Sequence, residues 1–340
     1  MDNLRRSMLN TYTAQPLDRV SHGRQDAAWL TAQYQHPQAS YLVLNNQDIV
    51  TVDEQALVLN QTQFQLLERT QGVSLLGIHK EGEHKGNPVF VFNVVDVDTE
   101  LAALKNTPDF QNKTLGAICL REISRTLGAD TAAMYSYSKL LNHWQLTTKF
   151  CVACGSGLTH QQGGLTQKCS NEECARIEFP RINPAVIMRI TNGDKILLAR
   201  QESWPERRFS VLAGFVELGE PLESAVQREV MEEVGLAVDN IQYHSSQPWP
   251  YPNSYMLGYT AEASTFEVEL EQDDITQAVW LTAEELREKN IAGEILTPPN
   301  LSISYRLIDD WFEQQTGVTL ASIQPEEPWF VAEEQDTNTD

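Results

Sequence analysis

The chain has 340 residues, 41% of them hydrophobic and 15 of them proline, which fits an ordinary globular protein with room for two domains and a smaller third unit. Its 25 Lys and Arg stand against 47 Asp and Glu, a formal net charge of −22. Such a surface repels polyanions and excludes a general nucleic-acid binder, whose affinity comes from Lys and Arg pairing with phosphate.

At the N-terminus, Arg5-Arg6 are followed by no apolar segment, so no signal peptide is read. No run of about 18 apolar residues follows anywhere, so no membrane span is expected. The expected compartment is the cytoplasm, where clustered cysteines point to metal rather than disulfides. Residues 1 to about 40 are polar and weakly patterned. Short β-type runs come next, at Tyr41–Leu44, Ala56–Leu59, Val73–Ile78 and Val89–Val95, separated by turn formers such as Asn45-Asn46 and Gly86-Asn87-Pro88. From Thr114 to Lys149 the texture reads as helical, with Leu115, Ile118, Ala132, Tyr135, Leu140, Leu141 and Trp144 as its apolar face. Strands followed by helices predict an α+β domain over residues 1–148, a scaffold or dimerisation unit without a catalytic signature.

A cysteine-rich stretch occupies residues 149–180. Cys151-x2-Cys154 is followed after fourteen residues by Cys169-x4-Cys174. Two closely spaced pairs bring four sulfurs to one point, which meets the tetrahedral preference of Zn²⁺. Gly155 and Gly157 allow the turn after the first pair, and Gly163-Gly164 the reversal between the two. An all-sulfur set leaves no place for an activated water, so one structural zinc per subunit is expected, in a ribbon. Cys119 lies outside the set and reads as a small buried hydrophobe.

Beyond the ribbon, β texture returns at Ala185–Ile190, Lys195–Ala199 and Ser210–Ala213, and later at Tyr255–Thr260 and Ala278–Leu281. Between these lies one amphipathic helix from Pro221, ended by Gly235. Leu222, Ala225, Val226 and Val230 form its buried face. Thr282-Ala283-Glu284-Glu285 has the form of a capping box, and a last helix is predicted over Leu301–Gln315. The segment 321–340 has acidic residues but no Lys or Arg and reads as a flexible tail.

The amphipathic helix carries the strongest signal. Gly214, Glu220, Arg228-Glu229, Glu232-Glu233 and Gly235 stand at fixed spacing. Glu229, Glu232 and Glu233, at i, i+3 and i+4, project from one side of the helix. Like charges so placed destabilise a helix unless a cation sits among them, and hard oxygen ligands favour Mg²⁺ or Mn²⁺, which also bind phosphate oxygens. Arg228 can orient a carboxylate by a bidentate bond. A solvated acidic face is the bland reading, but seven fixed residues coincide by chance on the order of once in 10⁸ starting positions.

The spacing over residues 214–236 matches the Nudix box, and the chain resembles the Nudix hydrolase superfamily. The resemblance implies a C-terminal α/β/α sandwich with a mixed sheet over residues 181–320, and hydrolysis of a nucleoside diphosphate linked to another moiety. By position it implies Glu229 and Glu233 as principal metal ligands, Glu232 as ligand or base, Arg228 as part of the catalytic group, and the carbonyl of Ala213 as a further ligand. A second motif, Ser246-Gln247-Pro248-Trp249-Pro250-Tyr251-Pro252-Asn253-Ser254, makes a stiff wall with flat rings suited to a base or nicotinamide. This segment, behind a four-cysteine ribbon, resembles the NADH pyrophosphatase subfamily. What the resemblance implies is conversion of NADH or NAD⁺ to a nicotinamide mononucleotide and AMP by a homodimer. Its implied substrate contacts are Phe179, Phe215, Gln247, Pro248, Trp249, Pro250, Tyr251, Pro252, Asn253, Ser254, Ser304 and Arg121, with Asp274 as an extra metal ligand. Some members of the subfamily remove NAD caps from RNA 5′ ends, the one nucleic-acid partner compatible with this charge. The competing expectations are a Nudix enzyme for ADP-ribose or a diadenosine polyphosphate, and a non-catalytic Nudix-derived binding protein. The latter usually lacks a box carboxylate, and none is missing here.

Overall fold

Apolar residues that alternate along a strand need a partner layer on each side of the sheet, and the strand Asn183–Asn192 finds both. The computed structural model describes residues 2–69, 71–270 and 275–324. They divide into two units: Ala14–Ile182 together with Trp249–Asn253, and the N-terminal residues up to Thr13 together with Asn183–Pro248 and the chain from Ser254 onward.

In the second of these units a mixed sheet runs in the order Val238–Trp249, Ser254–Ala263, Asn183–Asn192, Lys195–Gln201, Ile275–Thr282. Asn183–Asn192 pairs in parallel with Ser254–Ala263 and antiparallel with both Lys195–Gln201 and Leu212–Phe215. Val186, Met188 and Ile190 point to one face, where the helix Leu222–Val234 covers them with Ala225, Val226, Val230 and Val234. Ile187, Ile196 and Leu198 point to the other, beneath helices Ala283–Ile291 and Ile303–Thr316 through Leu286, Leu307, Ile308 and Phe312. This is the expected α/β/α sandwich. The capping box of Thr282 and Glu285 forms as predicted.

The other unit is α+β, as the texture predicts. Its main sheet runs Leu17–Asp18, Val73–His79, Pro88–Val94, Ser40–Asn45, Asp48–Val52, Gln55–Ala56, with two further short strands alongside. Tyr41, Phe64, Phe90 and Phe92 fill its core, Tyr41 stacking on Phe64 at 3.9 Å. Three strands of the cysteine segment, Leu158–Gln161, Thr166–Cys169 and Ile177–Glu178, make a separate small sheet.

Three expectations need correction. Leu115–Ile118 is a strand, not part of a helix, and pairs antiparallel with Asp48–Val52; the long helix starts only after Gly128, at Ala129–Thr147. The first thirteen residues, expected in the N-terminal domain, pack instead with the sandwich. Asn10 donates to Ser245 Oγ and the Ser246 carbonyl at 3.3 and 3.0 Å, and Arg306 to the Leu9 carbonyl at 3.1 Å. The expected tail starts too early, because Leu320 and Ile323 join the core around Trp311 and Phe312; residues 325–340 lie outside the described residues. Among the described residues no helix is long and apolar enough to cross a membrane.

Candidate active site and cysteine centre

The helix Leu222–Val234 opens after Pro221 and stops at Gly235, whose φ of 67° is the left-handed cap that ends it. Its buried apolar stripe fixes the rotation of the helix, and thereby the direction of the polar side chains. Arg228 is the centre of what results. Its guanidinium grips Glu220 with two bonds, Nη2 to Oε1 at 2.7 Å and Nε to Oε2 at 3.1 Å. Its Nη1 reaches Glu229 and Glu232, each at 2.9 Å, and its Nη2 also donates to the Phe215 carbonyl at 2.9 Å. The expectation was one oriented carboxylate; the structure gives three. Glu220 is further held by the Glu217 N–H at 2.7 Å, so the loop from Gly214 to Glu220 is closed onto the helix.

Glu229 and Glu220 are the sheltered members, with 13% and 16% of their side chains exposed against 59% for Glu232. Burial pushes the Glu229 carboxyl above the ordinary glutamate range, opposed by Arg228 and reinforced by Glu232 and Glu220. The Arg228 hydrogen bonds, with that of the Glu217 amide, hold Glu220 below its ordinary range, and Arg228 itself is raised, chiefly by Glu220. A Cβ on Gly214 would lie 1.8 Å from Glu229 Cδ, so only glycine lets this carboxylate rest on the strand Leu212–Phe215. Ala213, half-buried, precedes it on that strand, paired with Ile187. Glu233 is half-buried one turn beyond Glu229. Three carboxylates gathered around one guanidinium, with Glu233 one turn on from Glu229, offer hard oxygens of the kind a divalent cation takes. Asp274 lies outside the described residues.

The four cysteines come together as their spacing predicts. Their sulfurs lie within 4.8 Å of one another, with Cys151–Cys174 at 3.7 Å and Cys154–Cys169 at 3.4 Å. A tetrahedral thiolate centre with metal–sulfur bonds of about 2.3 Å has edges of about 3.8 Å, so the set fits one tetrahedral ion. The tight turn is made by Gly155 at φ 73°, whose N–H donates to the Cys151 carbonyl. Sequence reading missed what ties this segment to the sheet of its own unit. Arg24, 1% exposed, donates to the carbonyls of Gln162, Leu75 and Leu76, and Gln145 to that of Gly164. Cys119 is exposed rather than buried, at the start of the short helix Leu120–Ile123.

The proline-rich motif divides. Gln247 is 0% exposed and its amide is fully committed. It donates to the carbonyls of Thr11 and Leu301 at 3.0 and 2.8 Å and accepts from the Ile303 N–H at 2.7 Å. Gln247 therefore braces the sandwich. Ser254 is buried at the start of its strand, and Pro248 is half-buried. Ser304 is likewise a core residue, 3% exposed, its hydroxyl shared with Ser210 at 2.5 Å. In the other unit, Trp249 and Tyr251 meet edge to face at 5.0 Å, with Pro250 buried, Asn253 half-buried and Pro252 exposed. The Arg121 guanidinium lies 4.4 Å from the Tyr251 ring centre and 5.8 Å from that of Trp249, and the Lys139 ammonium 4.9 Å from that of Tyr251. Arg121 is thus brought to the aromatic turn, and Lys139, which no sequence signal singles out, is brought with it. Phe179 and Phe215 are exposed.

The NUDIX domain family model matches residues 181–297. The chain is 33% identical over 249 residues to the NAD-capped RNA hydrolase NudC of Pseudomonas aeruginosa (strain LESB58), spanning 73% of this chain and 82% of that one. It is 29% identical over 337 residues to the NAD-capped RNA hydrolase NUDT12 of Macaca fascicularis, spanning 89% of this chain and 73% of that one. It is 37% identical over 205 residues to NudC of Mycobacterium bovis (strain BCG / Pasteur 1173P2), spanning 57% and 65%. With an intact box, a sandwich that carries it and relatives matched over most of their length, the chain belongs to the Nudix hydrolases and, within them, to the NADH pyrophosphatase subfamily.

Proposed function

We propose that this protein hydrolyses the pyrophosphate of NADH and NAD⁺ to a nicotinamide mononucleotide and AMP, and that it removes NAD caps from RNA 5′ ends. The observation that carries the reading is the carboxylate cluster of Glu220, Glu229 and Glu232 on Arg228, seated against Gly214. Relatives named as NAD-capped RNA hydrolases support the substrate. Glu229, Glu233 and the Ala213 carbonyl would hold Mg²⁺ or Mn²⁺, joined by Asp274. When bound, such an ion polarises the phosphoryl oxygens and lowers the pKa of water. Hydrolysis adds one water across the anhydride: the water oxygen bonds to one phosphorus and the bridging oxygen departs with the other phosphate. A water proton passes to a carboxylate, and Glu232, the most exposed of those on Arg228, would take it. Arg228 keeps the carboxylates from swinging apart, so the donor set is organised before the ion arrives.

In the same reading the cysteine centre holds one structural Zn²⁺, residues 149–180 are a ribbon between an N-terminal domain and the Nudix domain, and the protein acts as a homodimer in the cytoplasm. Phe179, Phe215 and the Trp249–Asn253 turn contact the substrate. The acidic composition limits RNA partners to capped ends. The deciding test compares kcat/KM for NADH, NAD⁺, ADP-ribose, a diadenosine polyphosphate and NAD-capped RNA, with Mg²⁺ or Mn²⁺ present. NADH or a NAD cap should lead and Glu229→Gln should abolish turnover. A clear lead for ADP-ribose would overturn the NADH assignment while leaving the hydrolase intact.

A further inference from the structure

On the face of the sandwich sheet opposite the box helix lies a group of polar side chains that the carboxylate centre does not use. Along Asn183–Asn192, Arg189 follows Ile187 on the side covered by Ile303–Thr316. Its side chain is 12% exposed, and its Nη1 reaches the Leu307 carbonyl and Asp310 Oδ2 at 3.4 and 3.5 Å. His244, buried on Val238–Trp249, comes to the same Asp310 oxygen, its Nε2 at 3.4 Å. Arg6, from the first helix Asn3–Met8, adds a second guanidinium whose charge acts on both Arg189 and Asp310. Burial draws the Arg189 guanidinium below its ordinary range, opposed by Asp310 and reinforced by Arg6.

This group has more donors than its acceptors can serve. Asp310 Oδ2 already accepts from Gln314 at 2.9 Å, so Arg189 and His244 share what remains of one carboxylate at the limit of bonding distance. Arg6 bonds to Asn3 Oδ1 at 3.3 Å, while the neighbouring Arg306 is held by Asp309 and the Leu9 carbonyl. Asn10 donates to Ser245 Oγ at 3.3 Å, which leaves the Ser245 hydroxyl hydrogen for His244 Nδ1 at 2.9 Å and places the ring N–H on Nε2. Among the described residues, the Nε atoms of Arg6, Arg189 and Arg306 and His244 Nε2 are buried without a hydrogen-bond partner: four donors, against Asn10 Oδ1 as one acceptor. A water molecule brings as many donors as acceptors. An oxyanion brings acceptors only, and it also offsets two guanidiniums that share one carboxylate.

We propose that Arg6, Arg189 and His244 form a binding site for a small oxyanion of the phosphate type, which pins the N-terminal segment to the sandwich. The Nε and Nη2 edge of a guanidinium presents two parallel N–H groups that match two oxygens of one anion. No described hydrogen bond uses that edge of Arg6 or Arg189. Arg6 comes from the N-terminal segment and Arg189 and His244 from the sheet, so one anion bridges the two. The phosphate group has two sources, the inorganic ion and a phosphomonoester such as 5′-AMP.

The test is calorimetric titration of the full chain, without added Mg²⁺ or Mn²⁺, with inorganic phosphate and with 5′-AMP. Phosphate should bind one to one and raise the melting temperature, and chloride at equal ionic strength should do neither. Arg6→Gln, at a half-buried position, should weaken phosphate at least about tenfold, the loss of one charge-assisted bond. Arg6→Lys should weaken it less, and Arg189→Met should repeat the loss. Tighter Arg6-dependent binding of 5′-AMP than of phosphate assigns the monoester, and the reverse assigns the inorganic ion. NADH turnover with metal present should be equal in wild type and Arg6→Gln, because the group lies across the sheet from the box helix. No phosphate binding to wild type, the result expected if water alone serves these donors, would overturn the proposal. So would undiminished binding to Arg6→Gln, or a fall in its turnover, which would put Arg6 in the catalytic centre.

Discussion

Gly214→Ala tests the active site with a single methyl group. The new Cβ would stand 1.8 Å from Glu229 Cδ and 1.9 and 2.2 Å from its two oxygens. Non-bonded carbons approach to about 3.5–4.0 Å, so the carboxylate must retreat by about 2 Å, or the strand Leu212–Phe215 must shift against its partner Asn183–Asn192. Either way the 2.9 Å bond from Arg228 to Glu229 breaks, and Arg228 keeps only its grip on Glu220, Glu232 and the Phe215 carbonyl. Overpacking of this kind costs about 1–3 kcal/mol of stability, which a domain of this size survives. A reacting group displaced by about 1 Å loses on the order of 10²-fold in rate, so kcat should fall by about that factor or more while circular dichroism and the melting curve show a folded protein. The assay is AMP release from NADH with Mg²⁺, compared in parallel with Glu229→Gln. If folded Gly214→Ala kept kcat within about threefold of wild type, the position of the Glu229 carboxylate would not matter and the proposed role would fail.

Three further outcomes follow from other parts of the molecule. Gln247→Leu should leave the Ile303 N–H and the Thr11 and Leu301 carbonyls without their partner, costing about 1–3 kcal/mol for each buried group stranded; urea denaturation should show the loss while KM for NADH stays put in the folded fraction. Metal analysis should find one zinc per chain, and Cys169→Ser or chelation should lower the melting temperature; full stability without metal would refute a structural centre. Asp310 is held below the ordinary carboxylate range, first by the His244 ring, whose Nε2 lies 3.4 Å from its Oδ2, then by Arg189 and Arg6, against opposing burial. Its folded-state value lies below its unfolded one, so its contribution is complete above about pH 4 and is lost as pH falls through the folded value. The urea midpoints of wild type and Asp310→Asn should therefore differ near neutrality and draw together in acid.

The parts of the fold legible in the sequence are those whose causes are local. The box helix is written within one stretch: an apolar stripe at helical period, a proline before it and a glycine after it. The cysteine centre is likewise built from two short pairs and the glycines that turn between them. What escaped depends on partners far along the chain. Leu115–Ile118 is a strand because Asp48–Val52 offers it an edge, a fact that its own apolar residues, equally spaced for a helix, do not contain. The N-terminal residues pack on the sandwich through Asn10, Thr11 and Leu9, none of which lies in a patterned segment. Lys139 sits in a well-formed helix, but its place over an aromatic face depends on Tyr251, far along the chain.

The proline-rich motif shows why recognising a segment differs from assigning its residues. As a string it reads as one wall for a ligand. In three dimensions Gln247 spends its amide on three main-chain groups, and an amide so engaged has little left to offer a substrate. Trp249 and Tyr251, two and four residues on, make no such commitment of their ring faces; they meet edge to face and carry cations instead. The motif therefore joins a brace to a recognition surface, and both would be retained together for different reasons. Substituting Gln247 should report on folding, and substituting Tyr251 on the ligand. The substrate half of the reading consequently rests on the aromatic turn and its two cations, a narrower and more testable footing than the whole segment provides.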